Sequence, residues 1–547
     1  MRKLLSMLLI NNLLKSIKNN KEILILLGIG ILVWLVYFNV NFVGLTAPDA
    51  QYYASIARNI LSGSYEADLT LPCNFLYLGK NIFVPHINPP LFPYLLALLF
   101  KLGGVSDQVA VFGSGFFFII SIIPLYMLAN LLFGRFAASV ASIVYIFEPT
   151  MLYLSISGLT EPLFIFFLLM AFLYLARFLE KEKMSYIFWA GIFMGLGKLT
   201  RFNASIFIIM IALALLFCIK QNRWKAATIL LAGIIFTHIP EILRILFVKT
   251  PAVSQGILNY AAADGTKQYP LTITTRLLNP PTSWEYILAY PKDFIYKYLE
   301  NLFYYYRNLF TMTNPFIAAF FMASVAAIRD SRARRILLYI FLFAIMAQVG
   351  LISYSGPIIR YFYIFIPFMI IFGAGFFLVK VYPDINYRFK KPFAVAMVIL
   401  FLLPTPNLYA LISWNYGLIF KNYESKEMVM IAQQRAIGDF IRRNTKNDDF
   451  IATDYISIAW HANRKTLYLP ISFDVLEKID SEYKKVDAIF LTSLSDIKNI
   501  NELTGIAQRL VGWKKIFNQR PKNLGRFVLK KQGEIEGIKY LLYTGQK

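Results

Sequence analysis

The sequence predicts a polytopic α-helical membrane protein that ends in a small α/β domain. Of the 547 residues, 58% are hydrophobic and only 16% are charged, whereas soluble domains carry about a quarter charged residues. A helix needs about 20 apolar residues to cross a bilayer, and about 11 runs approach that length. They cover residues 23–43, 109–133, 136–154, 162–179, 186–199, 202–219, 226–248, 309–328, 336–352, 361–381 and 392–412.

Lysine and arginine are concentrated in the short connections between these runs. A formal net charge of +24 can also indicate a nucleic-acid-binding protein. With the N-terminus inside and the runs alternating, however, the basic clusters fall on one side of the membrane, as the positive-inside rule requires. The pattern predicts a multi-pass protein of the plasma (cytoplasmic) membrane with a cytoplasmic N-terminus, contacts with membrane lipids and no nucleic-acid partner. The clusters lie near residues 135, 177–183, 220–225, 329–335 and 380–391.

The segment 89–102 is apolar but too short for an ordinary span, and it opens with Pro89-Pro90. Runs of this length are more often interfacial or re-entrant than spanning. Counting this one as a span would move the basic clusters near 135 and 329–335 to the outer side. We therefore expect a helix that lies against the outer membrane face.

Three segments outside the apolar runs then share the outer side. We predict a membrane domain over 1–412 with outer loops 44–108 and 249–308, followed by an extracytoplasmic α/β domain over 413–547. In that domain the pattern indicates a helix at 428–444 and strands at 450–453, 488–492 and 526–529. Outer loops of such length are usually functional.

Asp49 follows the first apolar run, at the start of a short amphipathic helix. Apolar residues recur at Tyr53, Ile56 and Ile60 with helical spacing. Asp is a preferred N-cap residue and stabilises a helix by about 1 kcal/mol. A carboxylate at the membrane surface is also what an enzyme needs to act on a lipid with a polar head. The spacing favours neither role over the other, and the two are compatible.

Glu161 lies in a second turn that the predicted topology places outside. Thr160 can cap the following helix, and Glu161 and Pro162 are favoured in a first helical turn. That interpretation needs no function. Because Glu161 and Asp49 share one face of the membrane, the two acids can also divide roles, one as a base and one as an orienting or acceptor-binding group.

Cationic and hydrogen-bonding side chains gather on the same side. Ionisable groups at membrane depth are functional candidates by default. Glu241 and Arg244 can instead form an ion pair three residues apart, and Arg360 can simply extend to the interface. A phosphate ligand would account for all these donors together, since arginine binds phosphate with paired donors. The group comprises His86, Asn88, Arg201, His238, Arg244 and Arg360.

Five short motifs follow one another in the order found in GT-C membrane glycosyltransferases. The chain resembles most closely the group of protein O-mannosyltransferases and the lipid A aminoarabinose transferase, glycosyltransferase family 39 and relatives, over residues 23–381. The motifs are Pro48-Asp49-Ala50-Gln51-Tyr52-Tyr53-Ala54, Asn88-Pro89-Pro90-Leu91, Leu159-Thr160-Glu161-Pro162-Leu163, Leu199-Thr200-Arg201 and Arg360-Tyr361.

The resemblance implies the GT-C fold and an inverting transfer of a sugar from a polyprenyl-phosphate donor on the outer face. The acceptor would be a protein, a lipid or a cell-envelope glycan. Asp49 matches the acid that acts as the general base, and Glu161 matches the second loop acid, which is Asp in many relatives. We expect the donor and its phosphate to be bound by Tyr53, Arg58, His86, Asn88, Arg201, Arg244 and Arg360.

No Asp-x-Asp motif lies near Asp49 or Glu161, so neither a divalent metal nor another cofactor is expected. A lipid or sugar transporter is the main alternative, because transporters also place ionisable groups at membrane depth. A transporter should show inverted repeats with broken helices, which the sequence does not clearly contain. A membrane scaffold for the C-terminal domain is a second alternative, but it gives no reason for acids and arginines to converge.

Overall fold

The apolar runs fold into a helical bundle that carries a mixed β-sheet unit at one end. The computed structural model describes residues 21–78, 82–85, 89–219, 221–248, 262–263, 266, 269, 281–327, 331–351, 359–402, 426–493 and 506–546.

The bundle contains a helix in each of the predicted runs. Its helices are Lys21–Asn41, Pro48–Leu61, Leu91–Gly103, Asp107–Phe133, Arg135–Phe147, Pro149–Ser155, Glu161–Lys181, Met184–Lys198, Ala204–Cys218, Arg223–Val248, Ser283–Ala289, Pro291–Met312, Pro315–Ala327, Arg332–Leu351, Ile366–Phe376 and Tyr387–Leu402. A 3₁₀ turn, Ile359–Phe365, leads into Ile366–Phe376.

Within the described residues, five helices are long and apolar enough to cross a membrane, or six if one bent pair forms a single span. The chain is thus a multi-pass membrane protein, while the figure of about 11 spans stays a prediction. The bent pair is the predicted run 136–154, which turns by 59° between Arg135–Phe147 and Pro149–Ser155. The predicted run 309–328 was wrong as a single helix, because Pro291–Met312 ends before Thr313 and a new helix starts at Pro315.

Glycines bring two helices of the bundle into close contact. A Cβ atom added at Gly191 would lie 2.3 Å from the Leu230 carbonyl oxygen, and one at Gly233 would lie 2.5 Å from the Phe188 carbonyl oxygen. Small residues are what allow membrane helices to approach at backbone distance. This contact fixes helix Met184–Lys198 against Arg223–Val248, and the turn after Met184–Lys198 carries Arg201.

The β-sheet unit has seven strands within the described residues. They are β1 (Leu69–Thr70), β2 (Phe450–Thr453), β3 (Lys465–Tyr468), β4 (Ala488–Thr492), β5 (Asn523–Leu524), β6 (Phe527–Ile535) and β7 (Ile538–Gly545). Their order in the sheet is β1-β3-β2-β4-β7-β6-β5. Strands β1 to β4 are parallel, and β7, β6 and β5 continue the sheet in antiparallel fashion. Its helices are Asn74–Leu78, Lys426–Asn444, Ile458–His461, Phe473–Lys478 and Ile506–Gln519, with a π-helical turn at Ile479–Tyr483.

The helix predicted at 428–444 and the strands predicted at 450–453, 488–492 and 526–529 are confirmed. The first outer loop was not expected to take part in this unit. It supplies β1, which pairs in parallel with β3, and its Phe75 and Ile82 pack in the same core as Leu467 and Trp513. The unit is therefore built from two distant parts of the chain. The predicted boundary between 412 and 413 lies outside the described residues.

Candidate active site

Asp49 stands at the second position of helix Pro48–Leu61, so the prediction that it could be the N-cap was wrong. The N-cap is Ala47, whose backbone is extended and whose side chain makes no capping bond. The Asp49 carboxylate still lies in the first turn, where the helix dipole favours negative charge. It forms an ion pair with Arg360 through Oδ2 and keeps a side-chain exposure of 49%.

Glu161 is the first residue of helix Glu161–Lys181, and its side chain is 0% exposed. The turn before it contains Gly158, which adopts φ +70 and whose added Cβ would lie 2.5 Å from Leu45 and 3.3 Å from Ala50. Only glycine adopts this backbone conformation without strain and leaves room for the contact. The turn therefore packs closely against the start of helix Pro48–Leu61, which carries Asp49. This contact brings the two acids into one site.

Arg201 reaches Glu161 from the turn between Met184–Lys198 and Ala204–Cys218. Its Nη1 lies 2.8 Å from Glu161 Oε1 and donates to Thr160 Oγ1 at 2.8 Å. The expected cap by Thr160 was wrong, because Thr160 makes no capping bond and its hydroxyl instead accepts from Arg201. The motif Leu159-Thr160-Glu161-Pro162-Leu163 therefore supplies two acceptors for one guanidinium group.

Arg360 joins the two acids. Its Nη2 pairs with Asp49, and its Nε lies 3.1 Å from Glu161 Oε1. Asp49, Glu161, Arg201 and Arg360 carry two negative and two positive charges, so the cluster is neutral as a whole. Buried charges are tolerated when paired in this way. The four residues come from four separate parts of the chain.

The cluster retains unused hydrogen-bonding capacity within the described residues. Both carboxylate oxygens of Glu161, Nε of Arg201 and Nε of Arg360 are buried without a well-directed hydrogen bond. The short ion-pair distances of Glu161 and its lack of directed bonds are compatible, because attraction between charges needs less alignment than a hydrogen bond. A site of this kind can accept further polar groups without first losing strong bonds.

Aromatic rings lie beside the charges. The guanidinium of Arg201 lies 5.5 Å from the centroid of the Tyr361 ring. Tyr53 is buried and meets Phe92 edge to face with centroids 5.6 Å apart. Burial, and then the charge of Asp49, raise the pKa of the Tyr53 hydroxyl, which stays protonated. Tyr361 was quoted in a sequence motif but given no role; its position beside Arg360 was the signal.

Of the remaining predicted donor-binding residues, Arg58 is the one whose side chain the structure describes, and it lies outside this cluster. Arg58 pairs with Asp68 at 2.6 Å and donates to the carbonyl oxygens of Ala459 and Trp460. Arg58 thus links helix Pro48–Leu61 to the β-sheet unit. His86 and Asn88 lie outside the described residues. Arg244 lies in helix Arg223–Val248, and its side chain is not described.

Potential metal ligands do not cluster in the part of the chain that the structure describes. No group of three or more His, Cys, Asp or Glu side chains there could hold a metal ion. His238 bonds instead to its own helix, with Nδ1 2.9 Å from the Ile234 carbonyl oxygen. The cations of the site are arginines.

Comparison with known families gives one match, and it spans part of the bundle. A family model described as dolichyl-phosphate-mannose-protein mannosyltransferase matches residues 87–240. This range contains Glu161 and Arg201. No curated protein sequence matches the chain significantly.

Comparison with solved structures gives matches over most of the chain. ArnT from Cupriavidus metallidurans, solved with undecaprenyl phosphate, aligns with a TM-score of 0.58 at 11% identity over 95% of this chain and 97% of that one. The oligosaccharyltransferase AglB from Archaeoglobus fulgidus was solved with an inhibitory peptide and a dolichol-phosphate. It aligns with a TM-score of 0.54 at 15% identity, over 88% of this chain and 70% of that one. These likenesses show the GT-C fold and confirm the resemblance inferred from the motifs; a transporter is not favoured.

Proposed function

We propose that this GT-C protein is an inverting glycosyltransferase that moves a sugar from a polyprenyl-phosphate donor to an acceptor hydroxyl or amine. The observation that carries the proposal is the half-exposed Asp49 carboxylate, held by Arg360 beside a buried acid. The family match and the two GT-C structures solved with polyprenyl phosphates support the same donor class.

Asp49 acts as the general base. Of the two acids it is the accessible one, so an acceptor can reach its free carboxylate face. The acceptor oxygen or nitrogen attacks the anomeric carbon, the bond from that carbon to the phosphate oxygen breaks, and Asp49 takes the acceptor proton. One displacement inverts the configuration at the anomeric carbon. A correctly placed base contributes about 10²- to 10⁴-fold to such a step.

Arg360 and Arg201 stabilise the polyprenyl phosphate as it leaves. Arginine binds phosphate with paired donors, and both guanidinium groups retain a buried nitrogen without a directed bond. Fixed positive charges beside a developing negative charge are usually a major source of catalysis. No metal ion or other cofactor is required in this scheme, because the two arginines supply the positive charge.

Glu161 holds these arginines in place. With a fully buried side chain it cannot meet an acceptor directly, and it contacts Arg201 and Arg360 at 2.8 Å and 3.1 Å. We therefore assign Glu161 a positioning role and Asp49 the proton transfer. The acids and arginines face the outer side of the plasma membrane in the proposed topology, with the β-sheet unit above them.

The test is a transfer assay with the purified full-length protein and a panel of polyprenyl-phosphate-linked hexoses and pentoses. The acceptors are membrane-protein, lipid and cell-envelope glycan fractions, and products are identified by mass spectrometry. We expect one sugar to be transferred with inversion, with EDTA having no effect. Movement of a lipid-linked sugar across proteoliposomes without a covalent product would instead support a transporter, and absence of transfer to every acceptor would contradict the proposal.

A further inference from the structure

The helix that carries the proposed base, Pro48–Leu61, has no side-chain cap at its start. Its N-cap residue is Ala47, whose side chain makes no capping bond. Helix starts are usually fixed by such a cap, because their first backbone N–H groups lack partners within the helix. Here a side chain of the helix reaches back to the preceding turn instead. Gln51 is 4% exposed, and its Nε2 donates to the Leu45 carbonyl oxygen at 2.6 Å.

A residue of the β-sheet unit provides the second acceptor for the same amide group. Nε2 of Gln51 also donates to Oε1 of Gln434 at 2.8 Å, although Gln434 lies 383 residues further along the chain. Gln434 belongs to helix Lys426–Asn444 and is 5% exposed. A primary amide carries two N–H donors, so both bonds can form at once. Gln51 therefore links the start of its own helix to the β-sheet unit.

The same helix of the β-sheet unit also packs against the turn at Gly44. A Cβ atom added at Gly44 would lie 3.2 Å from Ile431 Cδ1 and 3.2 Å from Arg435 Nη2. Ile431, Gln434 and Arg435 are three and four residues apart, so they share one face of helix Lys426–Asn444. One face of this helix therefore contacts the turn that leads to the proposed base.

Helix Lys426–Asn444 is itself held from two sides. Its Ile437 is fully buried and packs in one core with Phe490 of the β-sheet. Towards the bundle, Arg435 forms an ion pair with Asp107 at 3.1 Å, and Asp107 begins a helix of the bundle. A helix braced in this way can hold another segment in place.

The position of Asp49 depends on this turn. Its carboxylate is half exposed, so its place is set by its own backbone and by the ion pair with Arg360. Asp49 lies between Leu45 and Gln51, inside the segment that their hydrogen bond closes. A misplacement of about 1 Å can lower the rate of a catalysed step by about 10²-fold. Catalytic groups are therefore held by packed and hydrogen-bonded neighbours that do not react themselves.

We propose that Gln434 is a positioning residue for the proposed base: through Gln51 it holds the turn that sets the place of Asp49. The inference rests on the proposed transferase function. The donor phosphate is held separately, by Arg201 and Arg360, so the loss of Gln434 acts on the rate of transfer and spares donor binding. The β-sheet unit thus contributes to catalysis without supplying a reacting group.

The experiment compares Gln434→Met with Gln433→Met in the full-length protein. Both changes remove an amide and keep the length of the side chain. Gln433 is the matched control, because it lies on the same helix but donates to the Glu536 carbonyl oxygen at 2.9 Å, within the β-sheet unit. The measurements are kcat per folded molecule, with the donor and acceptor of the panel that give transfer, and the affinity for polyprenyl phosphate alone.

We expect Gln434→Met to lower kcat by about three- to tenfold, the usual contribution of a neutral hydrogen bond. The donor KM and the affinity for polyprenyl phosphate should stay unchanged, and Gln433→Met should change none of the three. Gln434→Glu keeps an acceptor oxygen at the same length, beside His461 Nε2 at 3.3 Å, and should retain most of the rate. Gln434→Asn, whose side chain is one methylene shorter, replaces Gln434→Met if that variant does not fold.

Gln51→Met removes the other end of the same bond. The double variant Gln51→Met/Gln434→Met should lose no more rate than Gln51→Met alone, because the bond is already broken. Losses that multiply in the double variant would overturn the inference, as would a normal kcat in Gln434→Met. An equal fall of kcat and lipid affinity, or an equal loss in Gln433→Met, would show a merely structural role. If the wild type transferred no sugar from any donor, the proposed function itself would fail; with an active wild type, these outcomes concern Gln434 alone.

Discussion

Helix Pro48–Leu61 carries an ionic cluster near each end, and the two clusters differ in what they leave available. At its start, Asp49 pairs with Arg360 but keeps 49% of its side chain exposed. In its last turn, Arg58 pairs with Asp68, whose side chain is only 6% exposed. Both clusters look alike in the sequence, as acids and arginines in an outer loop.

We call the cluster of Arg58 and Asp68 the closed cluster, because both carboxylate oxygens of Asp68 have partners, and the cluster of Asp49 and Arg360 the open cluster, because Asp49 is half exposed. Asp68 Oδ2 accepts from Arg58, its Oδ1 accepts from Asn59 at 2.8 Å, and Lys465 lies 3.3 Å away. The Arg58 guanidinium also lies 4.7 Å from the centroid of the Trp460 ring. The contacts of Arg58 and Asn59 join the helix to the β-sheet unit. A carboxylate with both oxygens occupied has a structural role, whereas one with a free face can take a proton from a substrate.

The largest expected difference between the clusters is in the rate of transfer. Asp49→Asn removes the base while keeping the size of the side chain, so we expect transfer to fall by about 10²- to 10⁴-fold. Asp68→Asn makes the same chemical change in the closed cluster and should leave the rate per folded molecule near that of the wild type. Initial rates with the best donor of the panel measure both. A normal rate in Asp49→Asn would refute the assigned base.

Arg360 tests the phosphate-binding half of the open cluster. Arg360→Gln should lower kcat by about 10²- to 10³-fold, as the loss of a preorganised charge-stabilising group does. Arg360→Lys keeps the charge but loses the paired donors that reach both acids, so a smaller loss is expected. The measurement is kcat with the bare-lipid product assayed by chromatography. Equal rates for the Gln and Lys variants would mean that the charge of Arg360 does not act on the leaving phosphate.

Arg58 tests the closed cluster through stability. Arg58→Ala leaves the buried Asp68 carboxylate with fewer partners, which costs about 3 kcal/mol in comparable buried pairs. The expected result is a lower unfolding temperature and faster proteolysis of the β-sheet unit, with little change in kcat. Arg442→Ala is the control, since the side chain of Arg442 is 55% exposed beside Asp439. A selective loss of donor affinity in Arg58→Ala would instead show that Arg58 binds the donor, as the sequence predicted.

His461 should give the smallest effect, a pH dependence of stability. It lies in the region where helix Pro48–Leu61 contacts the β-sheet unit. Burial first of all lowers its pKa from 6.5 to about 4; Arg435 and Arg58 add to this, while Asp107 and Asp439 oppose it. Between pH 6.5 and 4 the unfolded chain therefore binds a proton that the folded chain does not, so stability should fall as the pH drops through this window. His461→Gln should flatten that part of the profile, measured by thermal unfolding. An unchanged profile would show that His461 does not titrate this way.

The sequence was sufficient for the parts that depend on local pattern. Apolar runs gave the helices because a span needs a long stretch of apolar residues wherever it packs. Asp49, Glu161, Arg201 and Arg360 were all candidates, since charged groups beside apolar runs are costly and conspicuous. The hairpin of β6 and β7 was missed, although its turn residues Glu536 and Gly537, both at positive φ, are typical of a two-residue β-turn.

The sequence could not distinguish residues of the same chemical type that have different partners in the folded chain. Arg58 and Arg360 are both outer arginines, yet one joins two structural units and the other joins two acids. Strand β1 is two residues long and pairs with a strand almost 400 residues later. No local signal marks such a partner, because parallel pairing is decided by chain segments far apart in sequence.

By itself, the sequence determined the class of the protein, most of its described helices, three of the seven described strands and the chemical types that meet in the candidate site. The tertiary structure decided which of these groups meet. It showed that Asp49 is an accessible carboxylate within an ion-pair cluster, not a helix cap, and that Thr160 is an acceptor for Arg201. Hydrophobic pattern and helix propensity act over a few turns, whereas ion pairs and buried amide groups depend on distances between segments that only the folded chain sets.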